Sequence, residues 1–213
     1  MIFLRHESFR SYLRLYPGTS IFILLNLIYF AVVGLTGSTK DGYHLLEYGA
    51  LISHPVYMPY GMEEPWRFIT AMFMHAGVDH LLFNMFALII FAPPLEGLIK
   101  TPRYALLYLL SGLGGGLLSV SVNTWFGSET HLAVGASGAI YGIYGAYLFI
   151  ALFRKSIIDT SSIKTIYMIL GFGVISSIVV SKIDLWGHLG GALTGFLLYA
   201  LIDKLRMSKI RST

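Results

Sequence analysis

An all-α bundle of membrane-spanning helices is the fold class this sequence predicts, and three observations carry it. Only 12% of the 213 residues are charged, against about a quarter in an ordinary globular chain. Mean hydropathy is +0.69, and the apolar residues gather into six runs of spanning length. The lysines and arginines concentrate in alternate connections between those runs, as in the cytoplasmic loops of polytopic proteins.

Taken in order, residues 1–18 read as a cytoplasmic lead carrying Arg5, Arg10 and Arg14, with Phe3, Phe9, Tyr12 and Tyr16 suited to the headgroup region. The run behind the lead is of spanning length and lacks a small-residue cleavage site, which argues against a signal peptide. Thr19–Leu35 is the first span, near the lower limit of about 17 residues. Residues 36–77 form a long polar and aromatic first loop with Pro55, Pro59 and Pro65, His44, His54 and His75, and Trp66-Arg67. A structureless loop of that length is unusual, so it is expected to be partly helical and membrane-associated. Five more spans follow: Val78–Leu98, with a kink expected at Pro93-Pro94, then Tyr104–Val122, Leu132–Phe153, Ile163–Val180 and Leu185–Ile202. Residues 19–204 thus form one membrane domain, and residues 205–213 a basic cytoplasmic tail.

Six spans put both termini on one side. Twelve of the basic residues then lie on that side and three, Lys40, Arg67 and Lys182, on the other. This asymmetry places both termini in the cytoplasm. The net charge of +4 therefore reads as topology, and no nucleic-acid partner is implied. With no cysteine, disulfides, thiolate nucleophiles and cysteine metal sites are excluded.

The same topology starts spans two, four and six at the outer face. Their first turns hold His80 and Asn84, then Ser137, then His188. At about 1.5 Å rise per residue, each lies within about 10 Å of its helix start, so all four share one slab of the membrane. A serine hydroxyl needs a neighbouring base to become a nucleophile, and imidazole titrates near neutral pH. Gly138-x-x-x-Gly142 and Gly187-x-x-x-Gly191-x-x-x-Gly195 would let spans four and six approach closely. Asn84 is an amide donor suited to a tetrahedral oxyanion, with His80 one turn before it on the same face. Alone, Ser137 or His188 is explained as well by helix packing or an interhelical hydrogen bond. Their shared depth favours chemistry.

These residues resemble the rhomboid family of intramembrane serine proteases. The resemblance rests on Gly135-Ala136-Ser137-Gly138, His80-Leu81-Leu82-Phe83-Asn84 and Gly187-His188-Leu189-Gly190-Gly191, with Gly195, Trp66-Arg67, Tyr141 and Glu96 also matching. It covers residues 66–202 and departs only in Gly187, where an alanine is frequent. It implies a six-helix bundle of rhomboid type that cleaves transmembrane segments of other membrane proteins near small residues. Ser137 would be the nucleophile and His188 the general base, acting as a dyad. His80, Asn84 and the Ser137 backbone N–H would form the oxyanion hole. Tyr141 would pack on the His188 ring, Gly135, Gly138 and Gly191 would support the site, and Trp66-Arg67 would brace the first loop. The fifth helix and the loop 181–184 would cap the site and admit substrate from the lipid. The location implied is a cell membrane, of bacterial plasma-membrane type, with the site towards the extracytoplasmic side.

No cofactor or metal is implied. The first-loop histidines lack H-x-x-x-H or H-E-x-x-H spacing, and the G-x-G-D segment of aspartyl intramembrane proteases is missing. Asp184, one turn before His188, could orient the imidazole or cap the helix. Two other functions stay open here: an inactive rhomboid-like protein that holds membrane clients, and a small transporter. The intact serine, histidine and oxyanion groups speak against the first. A transporter needs charged or broken helices near the midplane. Oligomeric state is open.

Overall fold

Six long helices carry the apolar runs in a computed structural model that describes residues 1–127, 129–180 and 183–211. Ser181 and Lys182 of the expected capping loop, and Ser212 and Thr213 of the tail, lie outside the described residues. A short helix α1 (Phe9–Leu15) precedes α2 (Pro17–Thr36). The first loop contains α3 (Gly42–Glu47), strand β1 (Leu51–Ser53), α4 (Arg67–Thr70) and two single 3₁₀ turns. Then come α5 (Val78–Ile99), α6 (Thr101–Phe126), strand β2 (His131–Ala133), α7 (Ser137–Phe153), α8 (Thr160–Val179) and α9 (Leu185–Arg211). Five helices, α2, α5, α6, α8 and α9, are long and apolar enough to cross a membrane; α7 is apolar but has 17 residues.

Helix starts are fixed by polar side chains, one of them buried. Glu96, 1% exposed near the end of α5, accepts from the Gly18 and Thr19 N–H groups at 2.8 Å each and from the Thr19 hydroxyl at 2.7 Å. It also accepts from the Thr101 hydroxyl at 2.7 Å. One carboxylate therefore caps α2, whose own N-cap residue Tyr16 supplies no side-chain bond, and ties down the start of α6. Asp159 caps α8, accepting from Ser162 N–H at 3.0 Å. Helix α5 stays helical through Pro93 and Pro94 to Ile99. Pro93 has no N–H for the Ile89 carbonyl, and the Tyr12 hydroxyl reaches that carbonyl at 3.4 Å.

The fourth run differs from its expected bounds. Leu132–Phe153 reads as one apolar stretch, yet helix begins only at Ser137. His131–Ala133 instead pairs antiparallel with Leu51–Ser53, in the register Leu51 to Ala133. Gly135, at φ +127°, turns the chain between strand and helix, a conformation open to glycine and strained for other residues. Its N–H donates to the Ala71 carbonyl at 2.8 Å. The first loop is thereby stitched to the start of α7. Arg67, 8% exposed, secures the same loop from inside. It donates to the Leu46 and Ala50 carbonyls at 2.6 and 3.1 Å, pairs with Glu64 at 2.7 Å and lies over the Trp66 ring.

Helix α9 lies between α6 and α7, and the glycines set how closely. A Cβ on Gly191 would overlap the Gly138 carbonyl oxygen of α7, and one on Gly195 would overlap that of Gly142. On the other flank, a Cβ on Gly190 would come within 2.6 Å of the Gly114 carbonyl of α6. Backbone-to-backbone contact of this kind is how helices associate in lipid.

Candidate active site

Ser137 is the first residue of α7, so its backbone N–H is among those that a helix leaves without an intrahelical partner. Its side chain lies beside Gly135. A Cβ on Gly135 would sit 3.7 Å from Ser137 Oγ and 2.8 Å from His80 Nε2, so this glycine keeps open the space between serine and histidine.

His188 stands in the first turn of α9. That turn is held by Asp184, whose carboxylate accepts from Gly187 N–H at 2.9 Å while its carbonyl accepts from His188 N–H at 3.1 Å. The Tyr141 ring, one turn after Ser137 on α7, stacks on the imidazole with centroids 3.9 Å apart and planes 9° from parallel. Ser137 and His188 line one cavity of about 50 Å³ together with Gly135, Gly138, Met72 and Gly112. About 10–15 Å³ of such space holds one water, so a hydrolytic water fits beside the pair. Among the described residues, the hydrogen bond of the His188 ring goes to Ser177 of α8, at 2.9 Å from Nδ1, rather than to Ser137. Bonds between nucleophile and base are often long before substrate binds.

The candidate oxyanion donors come from the start of α5, where His80 lies against Gly135 of the cavity wall. His80 Nδ1 accepts from Ala76 N–H at 3.4 Å, which leaves the ring proton on Nε2, the nitrogen beside Gly135. Asn84, 5% exposed, spends one amide hydrogen on the His80 carbonyl at 2.8 Å and keeps a second. Two side-chain donors and the Ser137 N–H are the inventory an oxyanion needs.

Of the two roles open to Asp184, the structure places it as a helix cap. Its other oxygen faces His131 Nε2 at 3.8 Å, and His131 is bonded to Ser119 at 2.8 Å. Burial raises the Asp184 pKa, but the His131 and Ser119 side chains and the Gly187 N–H outweigh it and hold the carboxyl below its usual range. The three first-loop histidines have separate structural positions. His44 bonds the Val33 carbonyl at 3.0 Å, and His54 Nδ1 accepts from the Val56 and Tyr57 N–H groups. His75 is 1% exposed and packs edge-on to His80.

His75 yields a pH dependence. Burial, with His80 beside it, pushes its pKa down to about 3, so the folded protein keeps the ring neutral where the unfolded chain would protonate it. The stability this neutral ring contributes is complete above about pH 6.5 and is lost as pH falls towards 3. The slope is at most about 1.4 kcal/mol per pH unit for one proton. Thermal unfolding in detergent between pH 7 and pH 4 is expected to show the loss, and His75→Phe is expected to flatten it. An unchanged slope in the variant assigns the acid sensitivity elsewhere.

Sequence reasoning missed two residues that touch this site. Ser177 holds the imidazole, and Gly173 leaves room for Tyr141: a Cβ there would overlap the Tyr141 hydroxyl. Their small-x-x-x-small spacing on the fifth span was the available signal.

Known proteins resemble this chain over much of its length. Residues 62–204 match the family model described as Rhomboid domain. The chain is 35% identical over 205 residues to YdcA of Bacillus subtilis (strain 168), provisionally named a rhomboid protease, covering 92% of this chain and 94% of that one. It is 33% identical over 182 residues to the rhomboid protease GluP of the same organism, covering 84% of this chain and 33% of GluP. RHOMBOID-like protein 6, mitochondrial, of Arabidopsis thaliana is 38% identical over 137 residues, covering 64% of this chain and 43% of that protein.

Proposed function

The chain belongs to the rhomboid family, and from that premise we propose that it is an intramembrane serine endopeptidase working through Ser137 and His188. The observation that carries the reading is the shared cavity: Ser137 of α7 and His188 of α9 line one recess, and His80 of α5 lies against Gly135 in its wall. Ser137 Oγ attacks the scissile carbonyl carbon while His188 takes its proton. The oxygen, now negatively charged, is received by His80 Nε2–H, the Asn84 amide and the Ser137 N–H. His188 then protonates the leaving nitrogen, and water hydrolyses the acyl-enzyme by the same path in reverse.

The substrates are transmembrane segments of other membrane proteins, cut where the helix unwinds. A scissile carbonyl inside an intact helix is hydrogen-bonded and shielded, so unwinding is a precondition for attack. The membrane domain spans residues 19–204, with both termini cytoplasmic and the cavity towards the opposite side of a bacterial plasma membrane. The positive-inside asymmetry supports this orientation.

The direct test is covalent. A fluorophosphonate is expected to label Ser137, identified by peptide mass; equal labelling of a Ser137→Ala variant would remove this residue from the nucleophile's role. The oxyanion assignment is tested separately. Asn84→Ala is expected to lower kcat by about 10²-fold with little change in KM, measured on a reconstituted transmembrane substrate. An unchanged kcat would mean that other donors suffice.

A further inference from the structure

We propose that Ser177 is a positioning residue for His188, fixing the imidazole tautomer so that Nε2 is the basic nitrogen. The argument is a count of hydrogens. The Ser177 hydroxyl owns one, and its oxygen lies 2.7 Å from the Gly173 carbonyl, which can only accept. That hydrogen is therefore spent on the helix's own backbone. Towards His188 Nδ1, at 2.9 Å, the Ser177 oxygen can only accept in turn. Nδ1 carries the proton, and Nε2 keeps its lone pair for the cavity.

This is the tautomer that the reaction requires. As Ser137 Oγ bonds to the carbonyl carbon, its proton passes to Nε2 and the carbonyl electron pair moves to oxygen. The imidazolium returns that proton to the leaving nitrogen as the C–N bond breaks. Throughout, Nδ1–H stays on Ser177. In triads an aspartate occupies this position; here a neutral hydroxyl orients the ring without placing a further charge in the membrane interior, where charge is expensive.

The same helix also seats the ring stacked on His188. Gly173 and Ser177 are one turn apart on one face of α8; Gly173 receives the Tyr141 hydroxyl end, and Ser177 receives the imidazole. Helix α8 is otherwise lightly buried: Ser162, Ile166 and Ser177 are its buried residues, Ile163, Ile169 and Leu170 are part-buried against the core, and Phe172, Ile175 and Ile178 point outward. The state of the base is thus coupled to the docking of α8.

The tautomer follows from geometry alone, whereas its catalytic weight rests on the protease reading; the experiment keeps the two apart. ¹⁵N-histidine spectra of the full chain in detergent are recorded, with the His188 signals assigned by their loss in His188→Gln. Wild type and Ser177→Thr are expected to show an unprotonated Nε2, and Ser177→Val, the same shape without the hydroxyl, a mixture of tautomers. An unprotonated Nδ1 in the neutral wild-type ring overturns the proposal whether or not the protein cleaves. On a transmembrane substrate, Ser177→Val is expected to lose about 10-fold or more in kcat at nearly constant KM, with Ser177→Thr close to wild type. Equal kcat in the two variants overturns the positioning role. Failure of the protease reading shows differently, as absence of cleavage by wild type, and the spectra still decide the tautomer.

Discussion

Ser137→Ala is expected to abolish cleavage of a transmembrane substrate, and His188→Ala to do the same, each by about 10⁴-fold or more. Nucleophile and base act as a unit, so removing either forfeits nearly all that removing both would, and the double variant is expected to be no worse than either single one. Neither substitution threatens the fold through the helix contact, which is made by glycine backbones and not by these two side chains. The measurement is product formation by purified protein in vesicles, alongside thermal unfolding to show that the variants remain folded. A single variant that keeps even a tenth of wild-type turnover would end the dyad reading.

The second large effect is on a residue with no chemistry of its own. Gly191→Ala adds one methyl, but it would overlap the Gly138 carbonyl oxygen. A backbone atom cannot rotate out of the way as a side chain could. Helices α7 and α9 must separate, at a cost of about 1–3 kcal/mol or more, and the separation parts His188 from Ser137. Loss of both melting temperature and turnover is expected. Gly171→Ala on α8 is the control, because a Cβ there meets nothing within 4 Å. It is expected to be neutral or slightly stabilising, alanine being the better helix former by up to about 1 kcal/mol. Similar losses at the two positions would refute the role given to close backbone approach.

Much of this was legible in the chain because lipid imposes few solutions. The scarcity of charge and the length of the apolar runs require helices, and four of the six expected spans match helices to within about four residues at both ends, whereas the sixth starts at Leu185 as expected but runs past Ile202 to Arg211. The small-residue register named Gly187, Gly191 and Gly195 as contacts: Gly191 and Gly195 meet α7, and the Gly187 carbonyl meets Gly115 of α6 and Gly138 of α7, while a Cβ on Gly187 would meet its own cap, Asp184. The start of the fourth span was misplaced because Leu132–Val134 is as apolar as the helix that follows. A three-residue strand has no room to display a period, and its partner β1 is some eighty residues away. Ser177 escaped notice for a related reason: serines inside spanning helices usually bond only their own backbone. Ser177 does that too, and its second bond depends on how α8 and α9 pack.

The brevity of α7 has a physical reach beyond the site it carries. Seventeen residues at about 1.5 Å each give roughly 25 Å of helix, against about 30 Å of hydrocarbon in a typical bilayer. Arg154 at its C-terminal end is held to Asp203 of α9, and the strand and loop before Ser137 take up the N-terminal end. Ten of the residues of α7 are buried, so other helices surround it and the shortfall is met inside the protein, by the strand and loop above Ser137 and by the cavity beside it. Membrane thickness then bears on the site through the longer helices around α7, whose tilt and spacing respond to thicker or thinner bilayers. Turnover in vesicles of graded acyl-chain length is expected to vary with that length, so that membrane composition sets the rate with no ligand bound.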